Sequence, residues 1–226
     1  MYKYDLHVHS SPASACGRNS AIEMVNYYKE FGFSGFALTN HFWHGNTGVS
    51  RSLSWENFVK EYAKDYYNAL ETAYKLDFDL FFGIEEGYGN GKEFLVYGLT
   101  PEILTENPCL QTNDIEIWSK TVHENGGFIT YAHPFRNRDY ITDPYKMPDI
   151  SLVDGLECYN FCNTDDDNER AISTFKDSGK IITAGGDLHW VSFKDTYGIM
   201  TNKRIKSGKE LVTSLKTNSF ELYLGK

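Results

Sequence analysis

The sequence lacks the features of a membrane-spanning or secreted protein. None of its apolar runs approaches the roughly 18 residues that a transmembrane helix needs, and its first residues contain no apolar segment of the signal-peptide kind. The four cysteines form no CxxC motif, and their even number does not by itself make a disulfide framework in a chain of 226 residues. We therefore expect a cytoplasmic protein with free thiols and no membrane partner.

Positive charge is also scarce. Lysine and arginine number 22 against 31 aspartates and glutamates, which gives a net charge of −9. The chain has no long basic stretch and no stripe of basic and aromatic residues, so we expect no binding of long nucleic acid. A small phosphorylated substrate remains compatible with this charge, because bound metal ions reverse the sign of the local potential.

Apolar residues, in contrast, are plentiful. Hydrophobic residues make up 41% of the chain and aromatic residues 15%, which is enough for a packed core and excludes an intrinsically disordered protein. The length suits one domain over residues 1–226, and no internal repeat or linker divides it.

Strand-like and helix-like segments alternate along the chain. The strand-like runs cover residues 2–8, 35–39, 79–85, 93–99, 128–132, 153–159 and 180–184. Helical patterns follow Ser20, Ser54 and Ser207 and cover residues 113–124 and 168–177, and Ser20 and Ser207 have the glutamate three residues later that marks a capping box. Because parallel strands need crossover connections, this alternation predicts an α/β protein with a parallel sheet or barrel.

Five of the seven histidines lie at the C-terminal ends of predicted strands or just beyond them. They are His7, His9, His41, His133 and His189. Active sites of parallel α/β folds form at the C-terminal ends of the strands. His7 and His9 face the same side of a strand and can bind one divalent cation, although a chance pair is the alternative explanation. Asp5 shares this facing and is a candidate to orient a ligand histidine.

Two carboxylates and an arginine occupy similar positions. Asp187 lies two residues before His189 in a glycine-rich segment, where a turn with a solvated aspartate is the alternative. Glu85 ends an apolar strand, and a buried carboxylate must be paired, hydrogen-bonded or metal-bound. Arg136 follows His133 closely and can bind phosphate oxygens through its planar guanidinium, unless it is a loop residue in solvent. Imidazoles mixed with carboxylates suit zinc, iron or manganese.

Six stretches in this order resemble the PHP family, named after polymerase and histidinol phosphatase. They are Asp5-Leu-His-Val-His9, Thr39-Asn-His41, Gly83-Ile-Glu85, Ala132-His-Pro-Phe-Arg136, Asp154-Gly-Leu-Glu-Cys-Tyr-Asn160 and Gly186-Asp-Leu-His189. The resemblance implies a distorted (β/α)7 TIM-like barrel with two or three divalent metal ions at the C-terminal ends of its strands. It also implies a hydrolase that acts on phosphoester bonds.

The resemblance assigns a first and a second metal site. His7, His9, Glu85 and Asp187 would hold the first ion. Glu85 would bridge to the second ion, which His133 would also bind.

A third ion, or a water and the phosphate, would use His41 and His189, and Arg136 would help to position the phosphate. Arg136, His41 and His189 are therefore the expected substrate-binding residues. The expected catalytic residues are Glu85, Asp187, His41, His189 and Arg136.

Three features depart from the family pattern. Asn40 stands where the family usually has an aspartate, and no acidic residue occurs in residues 10–16, so the third site is weakened. The second metal often takes another histidine soon after the glutamate, and Glu93 is the nearest candidate here. Cys16 is a candidate thiolate ligand, but a small buried thiol is the expected state.

The leading hypothesis is a metal-dependent phosphoesterase. It would hydrolyse a small phosphorylated substrate, such as a nucleotide or a monoester like histidinol phosphate, by in-line attack of metal-bound hydroxide. One alternative is an amidohydrolase-type metal hydrolase, whose usual bridging lysine at a strand end is not found in this sequence. The other is a non-catalytic PHP barrel that binds metal or ligand alone.

Overall fold

Most strands of the sheet are buried on both faces, as strands are when other elements cover each side. The computed structural model describes residues 1–225. Its strands are β1 (Tyr2–Val8), β2 (Gly35–Leu38), β3 (Asp79–Gly89), β4 (Lys92–Tyr97), β5 (Phe128–Tyr131), β6 (Gly155–Asn160), β7 (Ile181–Gly185), β8 (Gly198–Thr201) and β9 (Glu221–Tyr223).

The strands form one curved sheet in the order β7-β6-β5-β4-β3-β2-β1-β8-β9. Just after β7, Leu188 forms a parallel bridge with Val8, and the His9 N–H donates to the Leu188 carbonyl at 2.9 Å. The sheet therefore nearly closes between β7 and β1, while β8 and β9 extend it beyond β1. The expected α/β barrel of seven strands is confirmed.

The expectation of parallel strands throughout was wrong for β4. This strand runs antiparallel to both β3 and β5, whereas β1, β2 and β3 run parallel, as do β5, β6 and β7. Only Asn90 and Gly91 connect β3 to β4, both with positive φ angles, of 57° and 74°. A connection of this length makes a hairpin and leaves no room for a crossover helix. β8 and β9, which the sequence pattern did not predict, are also antiparallel to their neighbours.

The helices cover the sheet. They are α1 (Ala21–Glu30), α2 (Trp55–Lys75), α3 (Pro101–Glu106), α4 (Ile115–Glu124), α5 (Asp165–Phe175) and α6 (Gly208–Lys216). At α1 the predicted capping box is confirmed, since Ser20 and Glu23 bond each other's backbone N–H. At α6 only half of it forms, because the Glu210 carboxylate accepts from the Lys206 N–H. None of the helices within residues 1–225 is long and apolar enough to cross a membrane.

The largest buried cluster packs α2 and α4 against the sheet. Phe58 and Tyr62 of α2 and Trp118 of α4 are no more than 2% exposed and belong to this cluster. Phe42, which follows β2, contacts all three rings at right angles. This packing fixes the segment after β2, which carries one of the histidines of the site.

Replacing Trp118 by alanine tests how much this cluster contributes to the stability of the fold. The side chain is fully buried, and its Nε1 donates to the Thr112 carbonyl at 2.8 Å. We expect Trp118→Ala to lower the free energy of unfolding by about 3–5 kcal/mol, measured by chemical denaturation. Tyr74→Ala is the control, because Tyr74 is 87% exposed, and it should change stability by less than about 0.5 kcal/mol. Similar losses in both variants would contradict the assignment of this core.

Candidate metal centre

Side chains from several strand ends meet in one buried cluster. Five of them are no more than 3% exposed, namely His7, His9, Glu85, His133 and Asp187. His7 lies on β1 and Glu85 on β3, while His133 and Asp187 follow β5 and β7 within two residues. The barrel thus brings together residues that are up to 180 positions apart (187 − 7) in the sequence.

Glu85 lies at the centre of this cluster. Its Oε1 is 3.1 Å from His7 Nε2 and 3.1 Å from His133 Nε2. Its Oε2 is 3.3 Å from His9 Nε2 and 2.9 Å from His41 Nδ1. One carboxylate therefore faces four imidazole nitrogens with both oxygens, which is the arrangement of a ligand that bridges two cations.

Three sets of donor atoms are compact enough to hold a cation. The sets are His7, His9, Glu85 and Asp187; His41, Glu85 and Glu93; and His9, His41 and His189, each with donor atoms within 4.8 Å of one another. Glu93 Oε1 is 3.2 Å from His41 Nδ1, and Glu93 Oε2 is 3.6 Å from His133 Nε2. The structure thus brings all eight candidate ligands together, including Glu93, while their roles remain predictions.

Four buried atoms of the cluster have no hydrogen-bond partner among the described residues. They are His7 Nε2, His9 Nε2, His41 Nδ1 and Glu85 Oε2. Leaving a buried polar atom unpaired costs about 1–3 kcal/mol. These atoms lie close to one another and are all metal donors of the nitrogen and oxygen type. The residues present therefore fit divalent metal ions.

The remaining ring nitrogens of two candidate ligands, His7 and His9, each have a partner. His7 Nδ1 lies 2.9 Å from Glu157 Oε1, and His9 Nδ1 lies 3.0 Å from Ser14 Oγ. A bond on one ring nitrogen of a metal-binding histidine fixes the tautomer and the ring orientation. In both residues Nε2 is thereby left to face the cluster.

Burial and charge oppose each other in these groups. Burial acts to raise the pKa of Glu85, but His7 and His41 hold it well below its usual value. Likewise, burial acts to raise the pKa of Asp187, yet Arg136 and His7 keep it well below its usual value. The ionised form of both carboxylates is therefore favoured, and this is the form that binds a metal ion.

Two of the candidate ligands occupy strained backbone positions. His133 and Asp187 have positive φ angles of 30° and 57°, which residues other than glycine rarely adopt. Such conformations cost about 1–3 kcal/mol each and persist where the surroundings enforce them. Here the Asp187 N–H donates to the His7 carbonyl at 2.6 Å, and the Arg136 N–H donates to the His133 carbonyl at 2.9 Å.

Arg136 is buried beside Asp187 and is not a loop residue in solvent. Its Nη2 contacts Asp187 Oδ2 at 2.5 Å and Asn160 Oδ1 at 2.8 Å, and its Nε donates to Asn163 Oδ1 at 2.8 Å. Only 7% of the residue is exposed. Asp187 Oδ1 points the other way, 3.1 Å from His9 Nε2, so Asp187 uses separate oxygens for the cluster and for Arg136.

A cavity of about 450 Å³ opens onto the cluster. Its lining includes His41, Glu93, Arg136, Tyr140, Asp187 and His189. Cys16 and His44 also line it, whereas His123 is exposed and pairs with Asp154 away from the cluster.

Sequence reasoning missed one residue near the cluster, and another contacts its histidine in a way that the sequence did not specify. Glu157 contacts His7, but no role was assigned to it; the signals were its place in one of the six PHP-like stretches and a carboxylate on a predicted strand, as for Glu85. Asp5 contacts the His7 backbone N–H at 2.9 Å and not its ring. It also accepts from the Gly186 N–H at 2.8 Å, and therefore joins the middle of β1 to the segment just after β7.

Comparisons with known proteins bear on the fold. No family model and no curated protein matches the sequence. A two-domain protein from Bacteroides vulgatus that contains a predicted PHP-like metal-dependent phosphoesterase has a TM-score of 0.71 and 14% identity over 99% of this chain. A protein from Bifidobacterium adolescentis, provisionally assigned as a metal-dependent phosphoesterase, has a TM-score of 0.61 and 13% identity over 97% of both chains.

A third structure is the lesion-specific endonuclease of Pyrococcus furiosus, with a TM-score of 0.64 and 12% identity over 99% of this chain. The chain has a PHP-type fold. It spans 65% of the Bacteroides protein and 58% of the endonuclease, less than two thirds of each. The PHP-type barrel expected from the six sequence stretches is thus confirmed.

Removing one ligand tests the metal centre of this PHP-type barrel. His9→Ala and Asp187→Ala should each lower the metal content, because both residues belong to the four-donor set. The measurement is elemental analysis after loading with zinc or manganese and desalting, with circular dichroism to verify the fold. His123→Ala is the matched control, since His123 lies outside the cluster. Wild-type metal content in both ligand variants would refute the site.

Proposed function

We propose that this protein is a metal-dependent phosphoesterase that acts on small phosphorylated molecules. The observation that carries the proposal is the buried Glu85 carboxylate, which faces four imidazole nitrogens. The similarity of the fold to metal-dependent phosphoesterases supports the choice of reaction. An amidohydrolase from Chromobacterium violaceum is also similar in fold, with a TM-score of 0.57, but neither alternative from the sequence is better supported than a phosphoesterase.

The metal ions would be divalent zinc, iron or manganese. His7, His9, Glu85 and Asp187 would hold one ion, and the second would use Glu85 with His41, Glu93 and His133. A third set with His9, His41 and His189 is compact as well, so two or three ions fit. When bound, such ions supply Lewis-acid activation of water and neutralise the charge that develops on a phosphoryl group.

Residues of the chain itself would bind and orient the phosphate. Arg136 reaches the cavity wall beside Asp187, and its contacts with Asn160 and Asn163 hold the guanidinium in place. A planar guanidinium that is held in advance loses little freedom when it binds phosphate oxygens. His41 and His189 line the same cavity and are the other candidate contacts for the phosphate.

The shape of the cavity favours a small substrate. A volume of about 450 Å³ lies within the range of small-molecule sites. One wall is the tip of the β3–β4 hairpin, where a side chain on Gly91 would meet the Tyr140 carbonyl at 2.6 Å. The loop that carries Tyr140 therefore lies directly on the hairpin. The net charge of −9 also disfavours a long polyanion.

Activity assays with phosphate monoesters test the proposal. Metal-loaded protein should hydrolyse p-nitrophenyl phosphate, nucleoside monophosphates or histidinol phosphate, and a chelator should abolish the activity. A DNA duplex with an abasic site belongs in the same panel, because the Pyrococcus protein is an endonuclease. Cleavage of DNA without turnover of any monoester would overturn the choice of substrate. A protein that binds metal but hydrolyses nothing in the panel would favour the non-catalytic barrel.

Replacing Arg136 tests its role in phosphate binding. Arg136→Ala should raise KM for a phosphate monoester about 10- to 100-fold, which corresponds to the loss of a charged hydrogen bond. Metal content should stay the same, because Asp187 faces the cluster through its other oxygen. Arg138→Ala is the control, since Arg138 bonds the Cys162 carbonyl and does not line the cavity. Loss of metal in Arg136→Ala would show that Arg136 supports the ligands instead.

A further inference from the structure

Glu157 is a buried carboxylate that the proposed reaction does not use directly. It lies on β6 and is 1% exposed. Its Oε1 is 2.9 Å from His7 Nδ1. Its Oε2 accepts from the His133 backbone N–H at 3.1 Å and from Asn160 Nδ2 at 2.9 Å. One carboxylate therefore contacts two candidate metal ligands and one amide.

Neither of the two groups that donate to Glu157 Oε2 can become an acceptor. The His133 contact is a backbone N–H. The Asn160 amide cannot turn round, because its Oδ1 already accepts from Arg136 Nη2 at 2.8 Å and from the Cys162 N–H at 3.0 Å. The atom at the Oε2 position must therefore be an acceptor.

We propose that Glu157 is a positioning residue that keeps the ring proton of His7 on Nδ1, so that the Nε2 lone pair faces the metal cluster. A carboxylate accepts hydrogen bonds and donates none, so the His7 nitrogen that faces it carries the proton. His7 Nε2 then lies 3.1 Å from Glu85 Oε1, with no hydrogen-bond partner among the described residues. The inference rests on the proposed metal centre.

The neighbouring backbone leaves room for the contact between Glu157 and His7. At Gly185 a Cβ would lie 2.5 Å from Glu157 Oε1 and 2.6 Å from His7 Cβ, so only glycine lets the two side chains meet there. The other oxygen of Glu157 accepts from the backbone N–H of His133, the residue whose φ angle is 30°. Glu157 thus holds the ring of one ligand and the backbone of another.

Replacing Glu157 by glutamine keeps the shape of the side chain, but the amide can adopt only one of its two orientations. Its oxygen must occupy the Oε2 position, because the His133 N–H and Asn160 Nδ2 both donate there. Its NH2 group must then face His7 Nδ1, which becomes an acceptor. The ring proton of His7 moves to Nε2, where it blocks a metal bond.

The experiment compares the zinc-loaded wild-type protein with Glu157→Gln. We expect Glu157→Gln to bind zinc about 10- to 100-fold more weakly in a competition titration, at unchanged circular dichroism and little changed Tm. Proton–nitrogen correlation spectra of ¹⁵N-histidine-labelled protein, recorded at alkaline pH, report the ring tautomer. They should show His7 protonated on Nδ1 in the wild type and on Nε2 in the variant, with His7→Ala used for assignment.

Glu86→Gln is the matched control for placing an amide where a buried carboxylate was. Glu86 is also fully buried, but its Oε2 has no partner among residues 1–225, so an NH2 group fits there without inverting any donor. Zinc affinity should stay unchanged in this variant.

A zinc affinity equal to that of the wild type and an unchanged His7 tautomer in Glu157→Gln would overturn the role of Glu157. Absence of zinc binding by the wild type would overturn the proposed function instead, and the tautomer in metal-free samples would still decide the role of Glu157.

Discussion

The site depends on the burial of one carboxylate among nitrogen donors. Glu85 is 0% exposed, and both of its oxygens lie within 3.3 Å of imidazole nitrogens. Burying an ionised carboxylate without a compensating partner would cost more free energy than the whole net stability of a typical folded protein. His133 Nε2 lies within hydrogen-bond distance of Glu85 Oε1, at 3.1 Å, but Oε2 and the facing nitrogens of His7, His9 and His41 have no hydrogen-bond partner among the described residues. Divalent cations shared between these donors would satisfy the carboxylate and the imidazoles together.

Holding donors so close requires backbone conformations that a regular strand end does not provide. His133 and Asp187 turn into positive φ where β5 and β7 have just ended. Asp187 then presents one oxygen to His9 and the other to Arg136. The strain is offset by buried hydrogen bonds to the same residues, including the bond from the Asp187 N–H to the His7 carbonyl. These two candidate ligands are thus held in place although they lie outside the regular strands.

Sequence reasoning selected residues that the structure brings together, because strand periodicity and strand ends are local signals. Spacing alone placed His7 and His9 on one face, and the structure agrees. The contact between His7 and Glu157 joins residues 150 positions apart, so no local pattern could reveal it. The direction of β4 is a different case, because Asn90-Gly91 is a common hairpin turn and the signal was present. The prediction relied instead on the alternation of strands and helices, and it therefore expected β4 to run parallel to its neighbours.

That hairpin links the metal cluster to the cavity wall. Neighbouring residues on a strand face opposite ways, and on β4 Glu93 points to His41 while Lys92 points to the loop that carries Tyr140. The ammonium of Lys92, in a residue only 8% exposed, donates to the carbonyls of Pro134 at 2.8 Å and Pro144 at 3.1 Å. A shift of β4 would therefore move a candidate ligand and the loop together. Lys92 and Tyr140 line the cavity, so the loop and its anchor belong to the surface segments that can differ between proteins that share one barrel.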